Sequence, residues 1–410
     1  MNFERFPAEE PAAPEMEVEK AEENEGKEKE PGFKLDFYIT DHSADTEATG
    51  NPDKLRELYG DIKKDGIESV RYDWHWRNIE PKPGEYNAES IARYSRAKEV
   101  MHEAGLKEPT IILSNPPEWA KQLYKEDPEK FFGEYAKYVA EVKKGLEASG
   151  GEKVTTVQVL NELNNTVYTP IKVEDLPRLC EITREVFRDY NPDMKLMGTL
   201  IAANLPEMVE SATMGKVSFG TPIEQYLPEL KKVKDSFDVI AVDYYPGMWH
   251  LDPKDAKSLA PSELYKAMVK NTELLKSSFE EIATWGKEYE LGEVGMRTNM
   301  RGGEKSQRYF YDAFFRGFKK MMIDMREKNL KLPSRVGFYE AMDEPPKDLK
   351  GKILRKLTPF PEHDMGMRTG EGERKMILEG SPHASEEERA KQPSQLRKII
   401  SYLRAPVENR

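Results

Sequence analysis

Eight short apolar runs, each followed by a charged stretch of helical periodicity, constrain this chain more than any other feature. The runs are Leu35–Ile39, Ser69–Tyr72, Thr110–Leu113, Val154–Leu160, Lys195–Leu200, Phe237–Val242, Tyr289–Val294 and Val336–Ala341. Between them, Asp53–Lys64, Ala88–Ala104, Pro128–Ala148, Val173–Tyr190, Ile223–Lys234, Ser262–Lys287 and Gln307–Lys328 carry apolar residues at three- and four-residue spacing. Near-continuous apolar strands belong to parallel sheets covered on both faces. Such a sheet is either doubly wound and open or closed into a barrel. Eight units in about 370 residues favour the barrel. An open nucleotide-binding sheet would carry a glycine-rich turn after its first strand. Here Leu35–Ile39 runs into Thr40-Asp41-His42-Ser43, and neither GxGxxG nor a P-loop occurs. The expected fold is therefore α/β, a (β/α)8 TIM barrel.

Punctuation supports the division. Asn51-Pro52-Asp53 opens the first helix, Gly105 stops the second and Gly150-Gly151 follows the third. Residues 1–32 read as a disordered acidic arm, because residues 1–31 hold eleven Glu against three Lys and one Arg and little that is apolar. Residues 33–410 read as the barrel domain. Its last part comprises a long loop over Pro345–Pro393 and a closing helix over Gln395–Leu403. The net charge of −12 is concentrated in the arm, which contributes −7. No basic face is available for a phosphate backbone, so no nucleic-acid partner is expected. No run approaches the roughly 18 apolar residues of a membrane span, and the first residues lack a signal-peptide core. Cys180 is the single cysteine, so no intrachain disulfide can form. A cytoplasmic protein without a membrane partner is the expectation.

In such a barrel, chemistry gathers at the C-terminal ends of the strands. Those ends read Thr40-Asp41-His42, Arg71 to Trp76, Ser114-Asn115, Asn161-Glu162, Asn204, Asp243-Tyr244-Tyr245, Glu293, and Glu340 with Asp343-Glu344. The histidines are scattered and no His-x-His lies on an early strand, so no metal or other cofactor is expected. Glu162 and Glu293 fall on the fourth and seventh strands, across the ring from one another. Two carboxyls facing each other over a sugar-sized gap are what glycosidic cleavage requires. At ~5–5.5 Å one attacks and configuration is retained, whereas a wider gap admits water and inverts it. Trp74, Trp76, Trp119 and Trp249 lie just past strand ends and offer flat faces for sugar rings, with His42, His75 and His250 positioned to bind hydroxyls. A solitary Glu at a strand end is usually only a solvated or ion-paired residue, and such tryptophans often just pack loops. The order and pairing of the two carboxyls outweigh that reading.

Four segments, taken in order, resemble clan A of the glycoside hydrolases, in the manner of its families 5 and 39. Ser69 to Trp74 followed by Ile79-Glu80-Pro81-Lys82-Pro83-Gly84-Glu85-Tyr86-Asn87 is similar to the clan's second-strand signature. Val159-Leu160-Asn161-Glu162 resembles its fourth-strand Asn-Glu pair, Asp238–Gly247 its sixth-strand tyrosine region, and Glu293-Val294-Gly295 its seventh-strand nucleophile. The matches span roughly Leu35–Glu344. The resemblance implies a retaining hydrolase of β-linked glycosides or glycans. Glu162 would be the general acid/base, Glu293 the nucleophile, and Arg71 a positive charge beside it. Asn161 would bind the sugar 2-hydroxyl. Tyr245, or less directly Tyr244, would orient the nucleophile.

Two departures bear on substrate rather than reaction. The eighth strand ends in Tyr339-Glu340-Ala341, where many clan members carry a Trp, and the third ends in Ser114-Asn115 where some carry a His. Glu362 to Met367 resembles a tail motif that folds back after the eighth strand in some members. Three alternatives use the same fold. A non-catalytic carbohydrate-binding barrel would bind glycans without hydrolysing them. A transglycosylase would share every residue and pass the glycosyl group to a sugar. A metal-dependent barrel hydrolase would need the His/Asp/Glu ligand set that the sequence lacks.

Overall fold

A computed structural model of the chain describes residues 29–43, 51–166, 168–202, 220–245, 261–296, 298, 303–343, 366–369, 374–379 and 392–408. Its centre is a closed barrel of eight parallel strands in sequence order. They are β1 (Asp36–Thr40), β2 (Ser69–His75), β3 (Thr110–Ser114), β4 (Thr156–Val159), β5 (Lys195–Ile201), β6 (Val239–Tyr244), β7 (Glu288–Val294) and β8 (Arg335–Tyr339). The ring closes where β1 pairs with β8, Asp36 opposite Arg335 through Thr40 opposite Tyr339. All eight expected strands form, with ends shifted by up to three residues.

The outer helices are α1 (Pro52–Lys64), α2 (Trp76–Ile79), α3 (Ala88–Glu103), α4 (Glu118–Glu126), α5 (Pro128–Ala148), α6 (Leu176–Phe187), α7 (Ile223–Lys232), α8 (Pro261–Ala283), α9 (Gly303–Glu327) and α10 (Gln395–Arg404). Their starts follow side-chain chemistry. Asn51 accepts from the backbone N–H groups of Asp53 and Lys54, Asn87 from those of Glu89 and Ser90, and Asp127 from that of Lys130. Pro52 and Pro128 stand at first-turn positions where no N–H is needed. The short helices α2 and α4 fall outside the sequence reading, because each is too brief to display a period. Lys29–Glu30, which the sequence reading gives to the acidic arm, pairs antiparallel with Val407–Glu408. Residues 1–28 and most of the stretch Pro345–Pro393 lie outside the described residues. Among the described residues no helix is long and apolar enough to cross a membrane.

The strands obey a period of two, and this separates core from site. On β2, Val70, Tyr72 and Trp74 face outward into the large apolar cluster shared with the helices. Arg71 and Asp73 point the other way, into the barrel, where Arg71 reaches Thr40 of β1 and Gln158 of β4. Met197, Val239 and Ala241 form a small apolar cluster apart from the large one. The main core is therefore a shell between sheet and helices, and the barrel's upper interior is polar.

One strand breaks the alternation. Along β7, Tyr289, Leu291 and Val294 belong to the outer core while Glu290 and Glu293 bond to interior groups. Leu291 pairs with Val336 and Val294 with Phe338, so three steps on β7 span two on β8. The same irregularity lies against Val242/Asp243 of β6. This is a bulge, and it turns Glu293 inward instead of outward. Gly292 permits it. A Cβ there would collide with the carboxyl of Asp243 and approach the Ala241 side chain at 3.0 Å.

Candidate active site

Glu293 ends β7 with donors on both carboxyl oxygens. Its Oε1 receives Nη1 of Arg71 and, at 3.2 Å, the hydroxyl of Thr40. Its Oε2 receives the hydroxyl of Tyr245. Arg71 is wholly buried and spends its remaining donors inside the site, Nε on Gln158 Oε1 at 2.8 Å and Nη2 on Asn161 Oδ1 at 3.3 Å. Burial alone would release the guanidinium's proton more readily, but the Glu293 and Asp243 carboxyls outweigh it and hold Arg71 above its ordinary range. Burial, then the charge of Glu293, likewise push the Tyr245 hydroxyl well up, so it stays a donor.

Glu162 follows β4 across the ring. Asn165 donates to its Oε2 at 2.6 Å. The loop that carries it is bent by left-handed backbone at Leu160 and Glu162, with φ of 61° and 45°. Non-glycine residues adopt this region at a cost of order 1–3 kcal/mol each, and the surrounding structure must impose it. It is imposed by side chains. Gln158 donates to the Leu160 carbonyl at 2.8 Å and to Asn161 Oδ1 at 2.9 Å. Thr169 donates to the Asn161 carbonyl at 2.7 Å. Asn164 ties the loop to Ile201 of β5. With Oδ1 of Asn161 doubly occupied, its Nδ2 is left without a partner among the described residues.

A second constellation lies beside the pair. His42, after β1, places Nδ1 2.9 Å from Glu340 Oε2 and Nε2 3.1 Å from Asp73 Oδ2. The ring can donate to both carboxyls only as the imidazolium. Asp73 also accepts from Ser114, whose oxygen lies 2.8 Å from Nδ1 of His75, and Asn115 reaches the same nitrogen at 2.8 Å. Burial raises the Asp73 carboxyl, but His75, His42 and Ser114 prevail and hold it well below the usual carboxylate range. Tyr339 stands edge-on to both His42 and Tyr245.

The structure thus brings together Glu162, Glu293, Arg71, Asn161, Tyr245, His42, His75, Asn115 and Glu340. It removes three expected residues. Trp74 and Tyr244 sit one step out of phase with Asp73 and Tyr245, so they face the helices. Trp74 packs on Tyr94 in the space left by Gly145, and Tyr244 on Phe314. Trp76 starts α2, stacks on Tyr138 and donates to Glu80 at 2.8 Å. Trp119 is half-buried, packs edge-on against Trp76 and donates to the Glu80 carbonyl. Trp249 and His250 lie outside the described residues. Gln158, Asn165, Thr40, Asp73, Asp243 and Tyr339 are site residues to which the sequence reading gives no role. The polar Gln158 inside Val157-Gln158-Val159 was the sign most open to reading. Of the tail motif, Gly366 and Met367 do fold back on the end of β8, Met367 N–H donating to the Glu340 carbonyl at 2.8 Å. Glu362–Met365 lie outside the described residues. Among the described residues no three His, Cys, Asp or Glu are grouped to hold a metal ion.

No protein-family model and no curated protein matches this sequence. Solved structures do match. A GH5_18 from Streptomyces cattleya in complex with Manb1-4GlcNAc is 13% identical, with 90% of this chain and 81% of that chain covered and a TM-score of 0.59. The exo-beta-1,4-mannosidase from Opitutaceae bacterium strain TAV5 is 14% identical, with 92% and 62% covered and a TM-score of 0.54. A family 39 glycoside hydrolase from Bacteroides cellulosilyticus WH2 is 15% identical, with 84% and 61% covered and a TM-score of 0.50. The fold is a (β/α)8 barrel, shared with these solved structures. At these identities the likeness concerns the fold, and any argument about chemistry rests on the site.

Proposed function

We propose that the chain is a retaining glycoside hydrolase that cleaves β-linked glycosides, with Glu293 as nucleophile and Glu162 as general acid/base. The observation that carries this reading is the environment of Glu293. An arginine, a tyrosine and a threonine donate to its two oxygens, an arrangement that fixes the aim of the carboxyl group. Glu162, across the ring, accepts from the side-chain amide of Asn165, while the hydrogen bonds of Arg71 go to Glu293, Thr40, Gln158 and Asn161.

In the first step an oxygen of Glu293 attacks the anomeric carbon as the bond to the leaving oxygen breaks, and Glu162 gives that oxygen its proton. In the second, Glu162 takes a proton from water, which displaces Glu293 and restores its carboxylate. The free Nδ2 of Asn161 suits the sugar 2-hydroxyl. The His42, Asp73 and Glu340 constellation suits hydroxyls farther round the ring, in place of the Trp that other barrels carry. The Streptomyces cattleya protein holds Manb1-4GlcNAc and the Opitutaceae protein is an exo-beta-1,4-mannosidase. A β-mannoside is accordingly the first substrate to test, followed by aryl β-glucosides and common β-glycans.

The test is a chromogenic panel, followed on any substrate turned over by NMR of the first-formed anomer. Retention is expected, together with labelling of Glu293 by a slow 2-fluoroglycoside. Glu293→Gln and Glu162→Gln should each lose at least about a thousandfold in kcat, a part of the ~10⁶–10¹⁷-fold acceleration an enzyme supplies. An inverted product, or either variant working near the wild-type rate, would sink the assignment. Glycosyl transfer at high acceptor concentration would redirect it to the transglycosylase.

A further inference from the structure

The carboxyl of Asp243 takes no part in that mechanism. It lies on β6 in register with Glu293, wholly buried and turned into the barrel. Its Oδ2 is 3.8 Å from Nη2 of Arg71, and neither oxygen has a hydrogen-bond partner among the described residues. It fills the space that any side chain on Gly292 would need, so the bulge that turns Glu293 inward also seats Asp243 against it. The charged and titratable groups facing it are Arg71 from β2, Glu293 and Glu290 from β7, Glu162 after β4, Tyr38 from β1 and Tyr245 after β6.

These groups supply one nearby positive charge for two adjacent carboxyls. Arg71 gives its hydrogen bonds to Glu293, Thr40, Gln158 and Asn161, and none to Asp243. A buried carboxylate without a donor is strongly disfavoured, and so is a second anion beside the first. Burial, then the charge of Glu293, push the Asp243 carboxyl well above the usual range, and Arg71 offsets part of this. The reverse also holds. Were Glu293 neutral, Arg71 would be a buried cation with Asp243 as its nearest available counter-charge.

We propose that Asp243 and Glu293 share one negative charge against Arg71. Glu293 carries it in the resting protein while Asp243 holds a proton, and neutralising Glu293 passes the charge to Asp243, whose proton leaves to bulk water. Asp243 is thereby a positioning residue that acts through Arg71. It leaves the guanidinium undivided for the nucleophile, and it keeps the buried cation compensated whenever Glu293 is uncharged. The charge sharing itself stands on the geometry. Its value in turnover rests on the glycosidase reading, in which Glu293 becomes an uncharged ester.

Infrared spectroscopy of the full chain, labelled with carboxyl-¹³C aspartate and free of substrate, tests the sharing directly. At pH 7 the wild type minus Asp243→Asn difference should contain one protonated-carboxyl band and no carboxylate band. The Glu293→Gln minus wild-type difference, which leaves Asp243 intact, should show that aspartate band lost and one aspartate carboxylate band gained. The second measurement decides the matter even where Asp243→Asn fails to fold. A carboxylate band in the first difference, or no exchange of bands in the second, overturns the proposal. Because no turnover is involved, a negative substrate panel would defeat the glycosidase reading and leave this result standing.

Discussion

Strand β7 carries two inward glutamates, and each is held by an arginine and a tyrosine. Glu293, at the mouth, has Arg71 and Tyr245. Glu290, one turn of the pleat deeper, has Arg335 at 3.6 Å and Tyr38 donating at 2.8 Å. The chemistry of the two sets is alike and their surroundings differ. Arg335 spreads over the floor of the barrel, donating to Thr110 and Ser69 and lying over the Tyr38 ring at 4.4 Å. Arg71 is enclosed, and both it and its partner Thr40 donate to Glu293. The floor uses an ion pair to close a barrel, whereas the mouth uses one to aim a carboxylate, in line with the division of labour between the two ends of such barrels.

The largest effect that separates them should come from the arginines. Arg71→Met is expected to lower kcat/KM roughly a thousandfold, because it strips Glu293, the proposed nucleophile, of its charge partner at a cost of about 3–5 kcal/mol. Arg335→Met should leave kcat/KM within a few-fold and instead destabilise the fold by about 2 kcal/mol, read in a denaturant melt. Equal kinetic losses in the two variants would erase the distinction between mouth and floor. The tyrosines come next. Tyr245→Phe removes one donor from Glu293 and should cost about a hundredfold in kcat, the scale of a single oriented donor in an active site. Tyr38→Phe should act on stability alone, by about 1–2 kcal/mol.

Much of this arrangement was legible in the sequence. Buried parallel strands are apolar almost throughout, so they stood out as runs, and Asn and Gly marked the helix ends. Glu162, Arg71 and Glu293 followed from strand order. What escaped was phase. Sequence position places Trp74, Trp76 and Tyr244 at the mouth with their neighbours, but Trp76 already belongs to α2, and on a strand each step reverses the face, with both faces here buried. With apolar residues on the outside and polar ones within, Arg71 and Asp73 set the phase that assigns Trp74 outward. The β7 bulge was hidden for a related reason. Nothing in Glu290-Leu291-Gly292-Glu293 reveals that two glutamates three residues apart share a face, except the glycine between them. The His42 constellation joins β1, β2 and β8, and such a convergence exists only once the ring has closed.

That glycine gives the next test, of intermediate size. Gly292→Ala would push a methyl group into the Asp243 carboxyl and the Ala241 side chain. Overpacking of this kind costs about 1–3 kcal/mol. If the bulge is what faces Glu293 inward, kcat should fall about tenfold along with stability, while the Glu290 end keeps its structure. Lost stability with unchanged kcat would detach the bulge from the aim of Glu293.

The smallest effect belongs to the floor and to pH. Glu108 precedes β3, partly exposed, with Oε2 lacking a hydrogen-bond partner among the described residues. Burial is the main cause that raises its carboxyl from 4.5 to about 7, Glu152 adds to this, and Lys98 opposes it. The folded state thus binds this proton more tightly than the unfolded chain does. Stability from this group is fully present below pH 4.5, fades as pH rises and is gone above about 7. Glu108→Gln should therefore melt at the wild-type temperature near pH 4.5 and above it at pH 8. The gain should be about 1 kcal/mol, or one to two degrees, after allowance for solvent screening at a partly open site. At the mouth, Asp73 is shifted the opposite way by its partners, so Asp73→Asn should destabilise at pH 8 and lose that effect on acidification. Opposite signs from the two carboxyls would separate a mouth whose charges are compensated from a floor where one is not. Matching signs would mean that depth alone governs both.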